Sequence, residues 1–184
     1  MYPSSNADNS NWRSLLRTLS NGRVRRIGLL VWPDSAALAD TDVQLLLEMV
    51  CADGVTREVV CSTSPDGQTP QVNHEKWPTG NSIAELDQKR ALRTEHEASD
   101  DPRCRGYQLF ETGNGEMFGI RPGDLLVGIK VIQFCDAGHE PTGLIFEFAG
   151  GNVIVSAPSA YGNSVRRTVD EFLWPSAVEF VPIP

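Results

Sequence analysis

The sequence predicts an α+β fold in which antiparallel strand meanders pack with about three short helices. Two patterns carry that reading. Leu144, Phe146 and Phe148 alternate with Ile145 and Glu147, and a Gly150-Gly151 turn and the return Val153 to Ser156 complete a hairpin over Gly143 to Ala157. Trp12, Leu15, Leu16 and Leu19 fall at the i, i+3, i+4, i+7 spacing of an amphipathic helix, with Ser10 or Asn11 as its cap and Gly22 as its stop. A chain of 184 residues is long enough to bury a core without metal or disulfide staples. It reads as one domain, 10–184, behind a polar, aperiodic tail, 1–9.

Between these anchors the elements follow in order. Val24 to Trp32 is a strand closed by Pro33-Asp34, and Ser35 to Thr41 is a loop. Val43 to Cys51 also fits a helical face through Val43, Leu46, Leu47 and Val50. The Asp53-Gly54 hairpin signal and the β-branched return Val55 to Ser62 decide for a strand. Pro65, Gly67, Pro70, Pro78 and Gly80 make 63–81 a long loop. Ser82 and Glu85 form a capping box that opens a helix from Ile83 to about His96. Strands then follow over Arg105 to Glu111, Glu116 to Ile120 and Leu125 to Phe134, with turns at Gly113-Asn114-Gly115 and Arg121-Pro122-Gly123-Asp124. Ser164 opens a helical pattern of Val165, Val169, Phe172 and Leu173 that Trp174-Pro175 stops, and the tail Ala177 to Pro184 reads as an edge strand.

The two halves echo each other. Ile27-x-Leu29-x-x-Trp32-x-Asp34 lies on Ile129-x-Val131-x-x-Phe134-x-Asp136, and Gly80-Asn81-Ser82 and Gly162-Asn163-Ser164 each open a predicted helix. Two origins fit: an ancient duplication of a β-β-β-α unit, with half-repeats 20–98 and 105–175, or two unrelated strand-turn patterns.

Sixteen Lys+Arg against twenty-four Asp+Glu give a formal charge of -8, which repels phosphate backbones and anionic lipid. Nucleic acid and membrane surfaces are therefore not expected partners. Arg13, Arg17, Arg23, Arg25 and Arg26 lie in a stretch free of acids, so the remainder is more acidic still. Apolar runs such as Ile27 to Trp32 and Leu125 to Ile129 fall far short of the ~20 residues of a membrane-spanning helix. Arg17 and Thr18 follow Leu15-Leu16 at once, which is no secretory pattern, so the expected location is the cytoplasm. Cys51, Cys61, Cys104 and Cys135 show no CxxC pairing and read as thiols, with a Cys51–Cys61 bridge as the alternative.

No motif carries chemistry. Each histidine precedes a glutamate (His74-Glu75, His96-Glu97, His139-Glu140), but none completes HExxH, and Cys135 to His139 supplies two ligands where a closed zinc site needs four. Ser82 and Ser164 read as helix caps and lie in no GxSxG elbow. The Gly113 to Gly119 run lies between strands and opens no helix, so it lacks the amide cradle that holds a phosphate. No catalytic residue, metal or cofactor is expected. The expected activity is binding of a protein partner through Trp77, the aromatic residue outside any periodic element, and the acids Glu95, Glu97, Asp100, Asp101, Asp136 and Glu140.

In size, acidity, β content and strand-turn-strand text such as Gly143-Leu-Ile-Phe-Glu-Phe-Ala-Gly-Gly, the chain resembles small acidic bacterial immunity proteins, mainly over 105–173. The resemblance is one of character and rests on no diagnostic motif. It implies a stoichiometric inhibitor that occludes a toxin's active site with an acidic surface. Two alternatives stand beside it. A secretion chaperone for an effector fits the order of elements, and a small hydrolase would gather His139, Asp136 and another acid in a deep pocket.

Overall fold

Among the described residues, ten strands form two five-stranded antiparallel sheets that share one core. The computed structural model describes residues 12–31, 43–64, 69–74, 108–111, 117–135, 140–159, 162–172, 174 and 176–184. Helix α1 (Trp12–Leu19) leads into β1 (Arg23–Val31), β2 (Val43–Val50), β3 (Thr56–Thr63), β4 (Pro70–His74) and β5 (Gln108–Glu111). The second sheet holds β6 (Leu126–Phe134), β7 (Pro141–Phe148), β8 (Val153–Ser159), β9 (Gly162–Arg166) and β10 (Val178–Pro182). The strand orders are β4-β3-β2-β1-β5 and β10-β6-β7-β8-β9.

The fold is thus predominantly β, which corrects the α+β expectation of about three helices. Among the described residues the only α-helix is α1. The pattern from Ser164 to Leu173 resolves differently. Gly162–Arg166 is a strand hydrogen-bonded along β8, and a single 3₁₀ turn, Val169–Glu171, follows it. Val165 and Phe172, read as one helical stripe, face opposite sides of the sheet: Val165 packs on the shared core and Phe172 lies in a separate outer cluster. Two apolar residues seven apart fit either period when the pattern is short. The predicted helix from Ile83 lies outside the described residues.

Two loop and strand expectations also change. Pro70–His74, read as part of a long loop, is an edge strand with Val72 buried. Its proline stands first, where a sheet tolerates a missing N–H. Met117 and Ile120 exchange N–H···O bonds of 3.0 Å around Phe118 and Gly119, both at positive φ, so Met117 to Ile120 is a tight turn within the stretch expected to be a strand from Glu116 to Ile120. Strand β5 pairs with β1.

Other elements fall where the pattern puts them. The Asp53-Gly54 turn closes with Cys51 accepting from Gly54 and donating to Val55, and Gly54 takes φ 77. Between β7 and β8, Gly150 (φ 100) and Gly151 (φ 85) hold conformations that a β-carbon disfavours. The tail forms edge strand β10 against β6.

The core is built from one face of each sheet. Val24, Ile27 and Leu29 of β1, Leu45, Leu47 and Met49 of β2, and Val59 and Cys61 of β3 meet Leu126, Ile129 and Val131 of β6, Leu144, Phe146 and Phe148 of β7, and Ile154 of β8. Helix α1 lays Leu16 and Leu19 into the same core. One buried polar residue clamps the sheets together: Asn163 of β9 donates its Nδ2–H to Val43 O at 2.6 Å and to Ser156 Oγ at 3.1 Å.

Truncating Phe146, fully buried at the centre, is expected to cost about 3–5 kcal/mol of unfolding free energy. Asn163→Ala, which strands the Val43 carbonyl, is expected to cost about 1–3 kcal/mol. Urea denaturation of Phe146→Ala and Asn163→Ala reads both; losses under 1 kcal/mol would contradict the shared core.

Candidate protein-docking surface

The outer face of the second sheet is where the chain gathers aromatic side chains. Alternation along β6 turns Val131 to the core and Ile132 and Phe134 outward. β10 runs antiparallel to β6 with Val178 opposite Phe134 and Phe180 opposite Ile132, so those two also face outward. The segment between β9 and β10 folds over this face. Its 3₁₀ turn closes through Phe172 N–H to Val169 O at 3.1 Å, and Trp174 Nε1–H donates to the same carbonyl at 3.2 Å.

Those bonds stack Trp174 on Phe172, with centroids 5.3 Å apart, and set it edge-on to Phe134 at 6.5 Å. The Arg166 guanidinium lies 5.6 Å from the Phe172 ring centre. Phe172 is buried, Phe134 and Trp174 are half-buried, and Phe180 is 45% exposed, so the cluster grades from a packed floor to an open aromatic edge. Asp170 and Glu171 on the turn are exposed, as is Glu140 at the start of the hairpin strand that follows β6.

The rim of this face is a sheet edge. Cys135 N–H donates to Ala177 O, and Ile183 N–H donates to Ile129 O, so the odd-numbered residues of β10 bond inward to β6. Val178, Phe180 and Pro182 therefore direct their backbone groups outward. Pro182 lacks an N–H at the point where none is needed. Among the described residues no strand pairs with this edge.

Of the residues expected to bind a partner, Glu140 alone is described. It is exposed, immediately before β7. Trp77, Glu95, Glu97, Asp100, Asp101 and Asp136 lie outside the described residues, as does His139 of the hydrolase alternative. The aromatic cluster was missed in the sequence because Phe172 was assigned to a helical stripe and Trp174 to a stop signal. The alternation of Val178, Phe180 and Pro182 in an apolar tail was the available cue.

Other polar groups serve the fold. Glu48, buried on the outer face of the first sheet, accepts from Arg26 and pairs with Arg25 at 3.2 Å. Arg26 also reaches Glu58 at 3.7 Å, and His74 Nδ1 sits 2.7 Å from the Glu58 carbonyl. At the β2–β3 tip Arg57 bonds both oxygens of Asp53, at 2.9 and 2.6 Å, and the Val55 N–H adds a third bond. Led by the arginine, these hold the Asp53 carboxyl down to about 2 and raise the Arg57 guanidinium further. That carboxylate's share of tip stability is in place above its ordinary value of 3.8 and fades as pH falls through about 2. Among the described residues no group of His, Cys, Asp and Glu is placed to hold a metal ion, and no helix is long and apolar enough to cross a membrane.

Cys51, Cys61 and Cys135 are free thiols, which settles the Cys51–Cys61 alternative. Burial pushes the Cys61 thiol up to about 12, so it stays protonated and unreactive in the folded protein. In a Cys104→Ser background, a chromogenic disulfide reagent at pH 8 is expected to modify exposed Cys135 at once and Cys51 and Cys61 only after unfolding. Prompt reaction of all three would contradict the core.

Comparison with family models, curated proteins and solved structures returns no match to this chain.

Proposed function

We propose that this chain is a non-catalytic protein-binding protein of the immunity type, which neutralises a bacterial toxin in the cytoplasm by forming a tight one-to-one complex. The observation that carries the reading is the Phe134, Phe172 and Trp174 cluster, with Phe180 exposed on the same face in edge strand β10, which no strand pairs on its outer side among the described residues. Tryptophan and aromatic anchors over a packed floor are the side chains that dominate protein interfaces, and a free edge adds backbone hydrogen bonds to a partner strand. The formal charge of -8, with Glu140, Asp170 and Glu171 exposed around the cluster, favours a basic partner surface.

The same edge gives the chaperone reading its support, since an extended client segment would pair with Val178 and Phe180. Stoichiometry separates the two: one folded toxin domain per chain for immunity, an extended client on a homodimer for the chaperone.

Co-expression is expected to rescue cells from the toxin encoded beside this gene. Trp174→Ala and Phe180→Asp are each expected to weaken the complex by about 2 kcal/mol, roughly 30-fold, by isothermal titration calorimetry. Failure to bind or protect against any neighbouring gene product would sink the immunity reading. Unchanged affinity in both variants would remove the aromatic surface from it.

A further inference from the structure

The two sheets correspond strand by strand. Each is a four-strand meander whose fifth strand returns antiparallel to the first: β5 to β1, and β10 to β6. The correspondence extends to register. Ile27 faces Leu47 as Ile129 faces Phe146, and Leu29 faces Leu45 as Val131 faces Leu144. Leu47 faces Val59 as Phe146 faces Ile154, and Cys61 faces Val72 as Ser156 faces Val165. A meander does not dictate where its irregularities fall, yet the register shift between Val24 and Arg26 recurs at the same place, between Leu126 and Gly128.

The halves meet on these matching positions. Arg23 bridges to Leu125, its own counterpart. Around that bridge the hydrogen bonds come in exchanged pairs. Val24 N–H donates to Asp124 O as Leu126 N–H donates to Gly22 O, both at 2.9 Å. Gly123 donates to Val24 O as Asn21 donates to Leu126 O. Asn21 and Gly123, the corresponding residues before each strand, both take positive φ, which an asparagine adopts rarely and a glycine freely. Across the core, β2 meets β9 while β7 meets β4, and β3 meets β8.

We propose that the chain is two copies of one five-stranded unit, within 12–111 and 117–184, and that the surface joining them is a two-fold interface made to fit a second copy of that same unit. Each copy keeps a carboxylate at one place, Glu48 or Glu147, and a cation that meets it from the neighbouring strand, Arg26 or Lys130, with Arg25 adding a second partner to Glu48 alone. The cation and a glycine have changed places: Arg26 and Gly28 in one copy, Gly128 and Lys130 in the other. At Gly128 a β-carbon would stand 2.6 Å from Glu147 Oε2, so the glycine makes room for the carboxylate that Lys130 holds at 2.5 Å.

The test is a segment exchange in the full chain. Residues 23–29 are replaced by the sequence of 125–131, which includes Arg26→Gly and Gly28→Lys and leaves Gly22 in place, where a β-carbon would stand 2.8 Å from Leu19 O, and a second chain carries the reverse exchange. Controls carry the same segments shifted by one residue, which turns every inward side chain outward. At least one matched exchange is expected to unfold cooperatively with the parent circular dichroism spectrum and a melting temperature within about 10 °C, where 1 kcal/mol shifts a domain of this size by roughly 2–4 °C. Both shifted controls are expected to be unfolded. Failure of both matched chains to fold, or folding of a shifted control as well as its matched chain, overturns the proposal.

Discussion

Each of the two sheets has an inner face too apolar to meet water, and among the described residues the two faces cover each other, with helix α1 filling the same core. β1, β2 and β3 turn Ile27, Leu47 and Val59 inward, and β6, β7 and β8 turn Ile129, Phe146 and Ile154 to meet them. A strand places alternate residues on opposite faces, so register decides whether those side chains arrive in the core or in solvent. Register between the sheets is set where residues 21–24 and 123–126 hydrogen-bond to each other around the Arg23–Leu125 bridge. Asn163 closes the structure elsewhere, donating from β9 to the Val43 carbonyl at the start of β2.

The outer faces are under less constraint, and there the sheets differ. The outer face of the first carries the Arg25, Arg26, Glu48 and Glu58 network, whose buried carboxylate demands the arginines that meet it. The outer face of the second is apolar at Ile132, Ile145, Val155 and Ala157, and the chain between β9 and β10 covers part of it with Val169, Phe172 and Trp174. The covering ends short of the edge, where Phe180 remains exposed and, among the described residues, β10 pairs with a strand on one side alone. A docking surface at that point follows from the two facts together: an aromatic floor already packed by the fold, and an outer strand whose alternate backbone groups face outward.

Much of the strand layout was legible because its signals are local. Asp53-Gly54 and Gly150-Gly151 specify tight turns through backbone conformation alone, and Trp12, Leu15, Leu16 and Leu19 repeat at a spacing only a helix satisfies. The doubtful strand Val43–Val50 is nearly continuous in apolar residues because both its faces are buried, which erases the alternation that marks a strand. Local assignment failed where short segments, one read as a helix and one as a loop, answer to long-range pairing. Gly162–Arg166 is a strand because β8 lies beside it, and Pro70–His74 because β3 does; neither partner shows in a local window. The docking surface was illegible for the same reason. Phe134, Phe172, Trp174 and Phe180 come from three separate segments, and only the pairing of β6 with β10 and the fold of the 3₁₀ turn bring them together.

Native-state hydrogen exchange tests the shared core most directly. Amides of Leu45 and Leu47 in β2 and of Leu144 and Phe146 in β7 sit at the centres of the two sheets. If one core stabilises both, all four exchange only through global unfolding, with a common free energy that falls at a common slope as denaturant is added. Two distinct free energies, one for β2 and another for β7, would mean that each sheet opens independently and would contradict the shared core.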